Sequence, residues 1–361
     1  MTIDVFGLLP TELEERLAEL GAERYRADQI LQALYRQGVP ALGQVTTIPA
    51  ALRSRLAAED FDATLADPVR IVSSEDGQTT KALLPIESGT LIETVLMQYG
   101  SEQGKPRNTV CVSTQAGCAM GCVFCATGQM GFERNLSAGE VVRQVMHFER
   151  VLQSRGQRVT NLVFMGMGEP LANYNATVKA IRILTDPRAL GLGQRRITVS
   201  TVGIARAIER LAEEDLQIGL AISLHAPGNQ LRAELVPTAA PRSVDDLLAA
   251  ASAYERKTGR RVSFEYALIA GVNDDEETAT ALGALLGPRR AHLNVIPLNP
   301  TAGSFARPSR NSVRRFKTIL DAAGVNCTIR IEKGVEISAA CGQLRTGEGI
   351  VSVEAAEPGT Q

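Results

Sequence analysis

The sequence predicts an α/β protein built on a parallel sheet, open or curled into a partial barrel. Three observations carry that expectation. From residue 109 onward, short aliphatic and β-branched runs alternate with amphipathic helical stretches, six times over. Residues 1–65 read as helices instead, a small accessory domain ahead of the repeating part. Hydrophobic residues make up 44% of the 361 and charged residues 22%, enough apolar material for a substantial core. Six strand–helix units stop short of the eight that close a full barrel.

The elements follow in order. Thr11 with Glu14 has the spacing of a capping box ahead of a first helix. ERYRADQILQALYRQG places Ile30, Leu31, Leu34 and Tyr35 on one helical face and stops at Gly38. PAALRSRLAAE (49–59) predicts a third helix. The runs VRIVSS (69–74), TKALLPI (80–86) and LIETVLM (91–97) predict strands, so 66–108 is a short β-rich connecting segment with a polar end, QYGSEQGKPRN (98–108). Within 109–345, strands are expected at 109–114, 159–166, 195–201, 216–224, 260–269 and 291–298, with a shorter last run at 325–331. Helices fall between them, at 137–153 (Ser137 and Glu140 forming a capping box), 175–185, 204–214, 244–258, 276–286 and 311–323. The tail, 346–361, is expected to be disordered.

Composition narrows the setting. No apolar run approaches the ~18 residues of a membrane span, and MTIDVFGLLPTELEERL lacks the basic-then-apolar pattern of a secretion signal. A cytoplasmic protein with reduced thiols is expected, so disulfide staples are a poor reason for clustered cysteines. Net charge is −2 but uneven: residues 1–90 hold 8 Lys/Arg against 14 Asp/Glu, and 301–345 hold 8 against 3. ARPSRNSVRRFK (306–317) concentrates Arg307, Arg310, Arg314, Arg315 and Lys317, either a solvated helix face or a surface that meets a polyanion.

Half of the six cysteines stand in CAMGCVFC (118–125). Structural zinc wants four protein ligands, and this loop offers three. A [4Fe–4S] cube on three cysteines keeps one iron open for a ligand. The loop follows a predicted strand, where α/β folds place their sites, and Phe124 can shield a cluster from water. Other strand ends become interpretable: Gly168, which lets backbone approach a ligand closely, and Glu169 in MGMGEP, Ser200, then Ser223, Leu224 and His225 in SLH, and Asn299. Singly they are weak signals, since Glu169 also suits a helix cap, His225 a satisfied buried histidine and Asn299 a turn. Cys327 reads as core.

The C-x3-C-x2-C pattern with an aromatic before its last cysteine resembles the radical S-adenosylmethionine (SAM) superfamily. The run 111–145, with FMGMGEPLANY, TVSTVG, AISLHAP, IPLNP, FEYALIAGVND and ISAACGQL, closely resembles the RlmN family, dual-specificity rRNA/tRNA adenine-C2 methyltransferases. The likeness runs from about residue 10 to 345, with a longer polar segment between Leu96 and Cys111 as one departure. It implies a partial (β/α)6 radical SAM barrel. It also implies that Cys118, Cys122 and Cys125 hold one [4Fe–4S] cluster, and that Gly168, Glu169, Ser200, Ser223, Leu224, His225 and Asn299 bind SAM. Cys341 would be the methylated cysteine, Cys111 the second catalytic thiol and Glu93 the base.

The implied reaction consumes two SAM molecules per turnover. One methylates Cys341. The other yields a radical that activates that methyl for addition to adenine C2, giving a transient protein–RNA crosslink. Glu93 removes the C2 proton, and Cys111 attacks Cys341 to release methylated RNA and leave a disulfide. Implied partners are 23S rRNA, tRNA near its anticodon, an electron donor such as flavodoxin or ferredoxin, and a thiol reductant; a monomer and no membrane are expected. A flipped-out base would have to enter the mouth. The helical N-terminal domain is the candidate reader of RNA shape, and 306–317 the candidate phosphate contact. Rival readings are a Cfr-like adenine-C8 methyltransferase, against which GQMGF (128–132) leans, a radical SAM enzyme acting on a peptide or small molecule, and a non-enzymatic metal-binding RNA-associated module. Reversing Arg314 and Arg315 to Glu is expected to weaken RNA binding and flatten its dependence on salt in a titration.

Overall fold

Ten strands pair side by side in the order in which the chain makes them. They are β1 Arg70–Ser73, β2 Thr79–Pro85, β3 Leu91–Tyr99, β4 Arg107–Cys111, β5 Asn161–Phe164, β6 Ile197–Thr201, β7 Gly219–Ser223, β8 Ser263–Leu268, β9 His292–Pro297 and β10 Asn326–Ile329. The computed structural model describes residues 2–87, 89–100, 106–239, 243–289, 291–299, 301, 304–330 and 333–345, so the predicted tail at 346–361 lies outside the described residues. Strands β1 to β4 run antiparallel. From β4 to β10 every pairing is parallel. The three strands of the connecting segment thus extend the main sheet. Among the described residues β1 and β10 do not pair, and the sheet stays open.

Parallel strands need helical crossovers, and these bury both faces of the sheet. Leu220, Ala221 and Ile222 are accordingly consecutive and fully buried in β7. Helices Val244–Thr258 and Glu276–Leu286 form over the residues expected. Helix Ala138–Gln153 starts with the capping box read from sequence: Glu140 N donates to Ser137 Oγ at 3.1 Å, and Ser137 N to Glu140 Oε2 at 2.8 Å.

The first helix corrects the expected cap. It runs Pro10–Glu19 with Leu9 as its flanking residue, and Leu9 N donates to Glu12 Oε2 at 2.7 Å. Proline lacks an N–H and fits the first helical position, so Pro10 starts the helix ahead of Thr11. Glu14 turns outward to Arg188. Cys327, read as core, sits half-buried on β10 at the sheet's edge. One further helix, Asn229–Leu235, had no sequence signal.

The N-terminal helices dock on the outside of the sheet's first crossover helices. Arg143, on helix Ala138–Gln153, pairs with Asp4 at 2.5 Å and Asp62 at 2.6 Å, and donates to the Thr64 carbonyl. A methyl group at Gly139 would lie 1.7 Å from Asp4 Oδ2, so only glycine lets the two chains approach this closely. Lys179 pairs with Glu12, and Gln153 Nε2 donates to the Tyr35 carbonyl. Burial holds the Asp4 carboxyl above its usual range although Arg143 opposes this. Arg143→Ala leaves two carboxylates facing each other without their cation. It should cost about 2 kcal/mol, read as a lower melting temperature and as faster proteolysis within 1–65.

Candidate active site

Because β4 to β10 are parallel, their C-terminal ends share one rim, where α/β folds concentrate reactive groups. Cys111 ends β4, and Gly168 and Glu169 lie in the loop after β5. Ser200 is near the end of β6, Ser223 ends β7 with Leu224 and His225 following, and Asn299 follows β9.

The loop 118–125 lies over this rim. Cys118 N donates to the Gly131 carbonyl at 2.7 Å, and Val123 N to the Leu235 carbonyl at 3.1 Å. Cys122 and Phe124 pack into an apolar cluster with Val202, Ala267, Ile269 and Leu298 from the ends of three strands and with Leu235 and Val236 at the end of helix Asn229–Leu235. Phe124 is buried, its ring edge-on to His225 with centroids 4.8 Å apart. Burial pushes the Cys118 thiol up to about 11, and charge on Cys125 and Glu169 adds to this. Cys122 is raised too, by burial and then by Cys125 and Cys118. Charge on Cys125 thus reaches both Cys118 and Cys122.

Gly168 was read as a place where backbone meets a ligand. Its φ is +99°, and a methyl group there would strike the Cβ of Gln115 at 2.5 Å. What approaches so closely is Gln115, a residue the sequence did not single out. Its Oε1 accepts from Glu169 N at 2.8 Å, and its Nε2 donates to Asn135. Glu169 is buried, with Oε1 accepting from Leu171 N at 2.9 Å and Oε2 from Val202 N at 2.8 Å. One carboxylate thus joins the ends of β5 and β6.

A second unsignalled residue is Arg232, 1% exposed on helix Asn229–Leu235. It donates to the carbonyls of Val202, Ser223 and Leu224, which closes the ends of β6 and β7. His225 has φ +60° and is buried, and its Nδ1 accepts from Ala267 N at 3.0 Å. Burial, then Arg232, depresses its pKa to about 3, so it stays neutral with its proton on Nε2. Ser200 and Ser223 are half-buried and Leu224 fully buried. Asn299 Nδ2 donates to the Cys341 carbonyl at 3.1 Å, while its buried Oδ1 has no donor among the described residues.

Residues 333–345 form a strap across the rim. Ala126 N donates to the Gly342 carbonyl at 2.8 Å and Thr127 Oγ1 to the Leu344 carbonyl, binding the strap to the cysteine loop. Cys341 reaches solvent yet is surrounded by protein, as a residue inside a concavity is. Its thiol rises to about 11, through burial and then Glu265; Arg330 opposes this, and Cys125 contributes further. Burial and then Cys341 raise Cys111, whose sulfur faces the Met165 N–H. All six cysteines are free. Glu93, on β3, is 1% exposed. Val95 pairs with Cys111 in register, so Glu93, two residues on, shares the face of Cys111. Lys81 Nζ lies 2.9 Å from Glu93 Oε1, and burial still lifts the Glu93 carboxyl above its usual range. Sequence reasoning missed Lys81, Gln115, Arg232 and Glu265; a charged residue inside an apolar strand run was the one visible mark of Lys81 and Glu265, and Gln115 and Arg232 had none.

The donor set suits an iron–sulfur cluster: three soft thiols on one short loop, with Cys122 and Phe124 packed in an apolar cluster. Among the described residues no three His, Cys, Asp or Glu side chains are arranged to hold a single metal ion. The unpartnered Asn299 Oδ1 suits the ammonium of an amino-acid ligand beside that cluster.

Glu265 offers a test of the rim's electrostatics. It is buried on β8 and accepts from Asn294 Nδ2 at 2.8 Å, and burial pushes its pKa up to about 7. The folded protein therefore binds this proton more tightly than the unfolded chain, and stability is lost as pH rises from the ordinary carboxyl range through about 7. Glu265→Gln should raise stability at pH 8 by roughly 2–3 kcal/mol and leave it nearly unchanged at pH 4.5, measured by denaturant melts at both pH values.

Comparison with known proteins agrees with this arrangement. Residues 112–282 match the Radical SAM superfamily, and residues 3–60 match the Ribosomal RNA large subunit methyltransferase N-terminal domain. The chain is 56% identical over 345 residues to Ribosomal RNA large subunit methyltransferase N of Nitrosopumilus maritimus, covering 95% of this chain and 98% of that protein. It is 49% identical to a probable dual-specificity RNA methyltransferase RlmN of Chloroflexus aurantiacus, covering 92% and 90%. A solved radical SAM methyltransferase from Sphaerobacter thermophilus superposes with a TM-score of 0.90 at 49% identity, over 95% of this chain and 99% of that one. With its radical SAM sheet, its N-terminal domain and relatives of this identity along nearly its whole length, the chain belongs to the RlmN family.

Proposed function

We propose that this chain is a radical SAM RNA methyltransferase that methylates C2 of one adenine in 23S rRNA and in tRNA near the anticodon. The observation that supports the reading is that Cys341 lies near enough to raise the Cys111 thiol and is itself raised by Cys125 of the three-cysteine loop. Adenine C2 lies between two ring nitrogens and is too electron-poor to attack a methyl cation equivalent, so polar transfer fails and radical addition is required. Cys118, Cys122 and Cys125 would hold a [4Fe–4S] cluster, and Gly168, Glu169, Ser200, Ser223, Leu224, His225 and Asn299 would line the SAM site. When bound, these groups supply a methyl and one-electron chemistry.

The remaining work falls to the chain's own residues. Cys341 carries the methyl on its sulfur, at a solvent-reaching point inside the rim where an extruded base can meet it. Once that carbon has bonded to C2, Glu93 takes the C2 proton, and the unpaired electron left by the addition would return to the one-electron centre held by Cys118, Cys122 and Cys125. Burial gives Glu93 proton affinity while Lys81 keeps it ionised beforehand. Cys111, on the same face, then attacks the Cys341 sulfur. The S–S bond forms, the C–S bond breaks, and its electron pair leaves with the carbon, which gains a proton to become the methyl group. A thiol reductant resets the pair, and an electron donor such as flavodoxin or ferredoxin serves the cluster. No helix among the described residues is long and apolar enough to cross a membrane; we place the enzyme in the cytoplasm. The exposed Arg310 and Arg314 on helix Arg310–Ala322 are offered to RNA phosphates, and the N-terminal helices to RNA shape.

Reconstituted protein incubated with SAM, reductant and RNA tests this. Cys111→Ala should accumulate a covalent protein–RNA adduct that wild type resolves, and mass spectrometry of the wild-type product should show the 2-methyl isomer. Methylation at C8 overturns the position, and absence of both adduct and methylated RNA overturns the function.

A further inference from the structure

Lys81 lies on β2, outside every motif of the sequence, and is 4% exposed. Its ammonium has two partners: Glu93 Oε1 at 2.9 Å, and the Ser338 carbonyl of the strap at 3.1 Å. The other oxygen of Glu93 accepts from Arg345 N, at the far end of the strap, at 2.8 Å. One buried ion pair therefore grips the strap on both sides of Cys341. Ser338 has φ +53°, a conformation uncommon outside glycine, and it presents its carbonyl to Lys81 from that turn. Lys81 and Val95 pair in register, so Lys81 and Glu93 are diagonal neighbours on one face of the sheet.

We propose that Lys81 is a positioning residue that fixes the strap carrying Cys341 and ties its placement to the ionisation of Glu93. The second half of this rests on the reading of Glu93 as base and Cys341 as methyl carrier. The charged groups facing Glu93 are Lys81 from β2 and Arg345 from the strap; both favour its carboxylate, and burial opposes them. As a carboxylate, Glu93 holds Lys81 and the Arg345 N–H together. On taking the C2 proton it loses the charge that binds both. The strap then loosens at the step in which Cys111 must reach the Cys341 sulfur.

Hydrogen–deuterium exchange over 333–345 in the full-length resting protein, without RNA, tests the tether. Lys81→Met should speed exchange there by about tenfold or more, Lys81→Arg should restore much of the protection, and Glu93→Gln, which mimics the protonated carboxyl, should fall between. With Lys81 gone, the largest influence keeping Glu93 ionised is gone. The acid limb of the pH profile for RNA release should then move to higher pH. Should Lys81→Met alone not fold, the double variant Glu93→Gln/Lys81→Met removes both charges and should show the same fast exchange. Exchange equal to wild type in the Lys81→Met or the double variant overturns the proposal. Glu93→Gln equal to wild type overturns the coupling to ionisation. Faster exchange in Lys81→Met with an unmoved acid limb keeps the tether and overturns Glu93 as the base.

Discussion

The parallel pairing of β4 through β10 is the constraint on which the rest depends. A chain that lays parallel strands down in order must return across the sheet each time, so every strand's C-terminal end faces the same way. Residues as distant as Cys111 and Asn299 thereby reach one rim without any direct attraction between them. The antiparallel extension β1–β3 does something different. It brings Lys81 and Glu93 in sideways, beside Cys111, from a part of the chain that never enters the parallel repeat.

Ends of buried strands carry unpaired backbone groups, and the rim must satisfy them. Glu169 and Arg232 do so with opposite chemistry: a carboxylate accepts from Leu171 and Val202, and a guanidinium donates to Val202, Ser223 and Leu224. Both are buried, and both would be costly if left single. The neutral His225 beside them, held by Ala267 N, adds a polar group without adding charge. The buried charges of this rim are thus compensated by backbone.

Much of this was legible in the residues. The capping box at Ser137 and Glu140, and the helices at 244–258 and 276–286, follow from local side chains, and they form where local chemistry puts them. The cysteine spacing marked the loop as a ligand set because three thiols so close have few structural uses. The cap of the first helix was misplaced because Pro10 carries its signal in what it lacks. Lys81, Gln115, Arg232 and Glu265 were invisible for another reason. Their partners lie on other strands, and Lys81 finds Ser338 across 257 positions of chain. No local pattern announces such a pairing; inside a strand run, Lys81 read as one polar interruption.

The strap has a consequence for how the molecule is made. Its bonds to Glu93 and to Thr127 span 252 and 217 positions, among the longest loops the chain has to close, and contacts of such separation form late. On the ribosome, the sheet, the cysteine loop and Cys111 all emerge before Cys341 does. A nascent chain can therefore assemble the sheet and the cysteine loop well before the strap that carries Cys341. Among the described residues the strap is the last to be synthesised, and its fastening closes the rim.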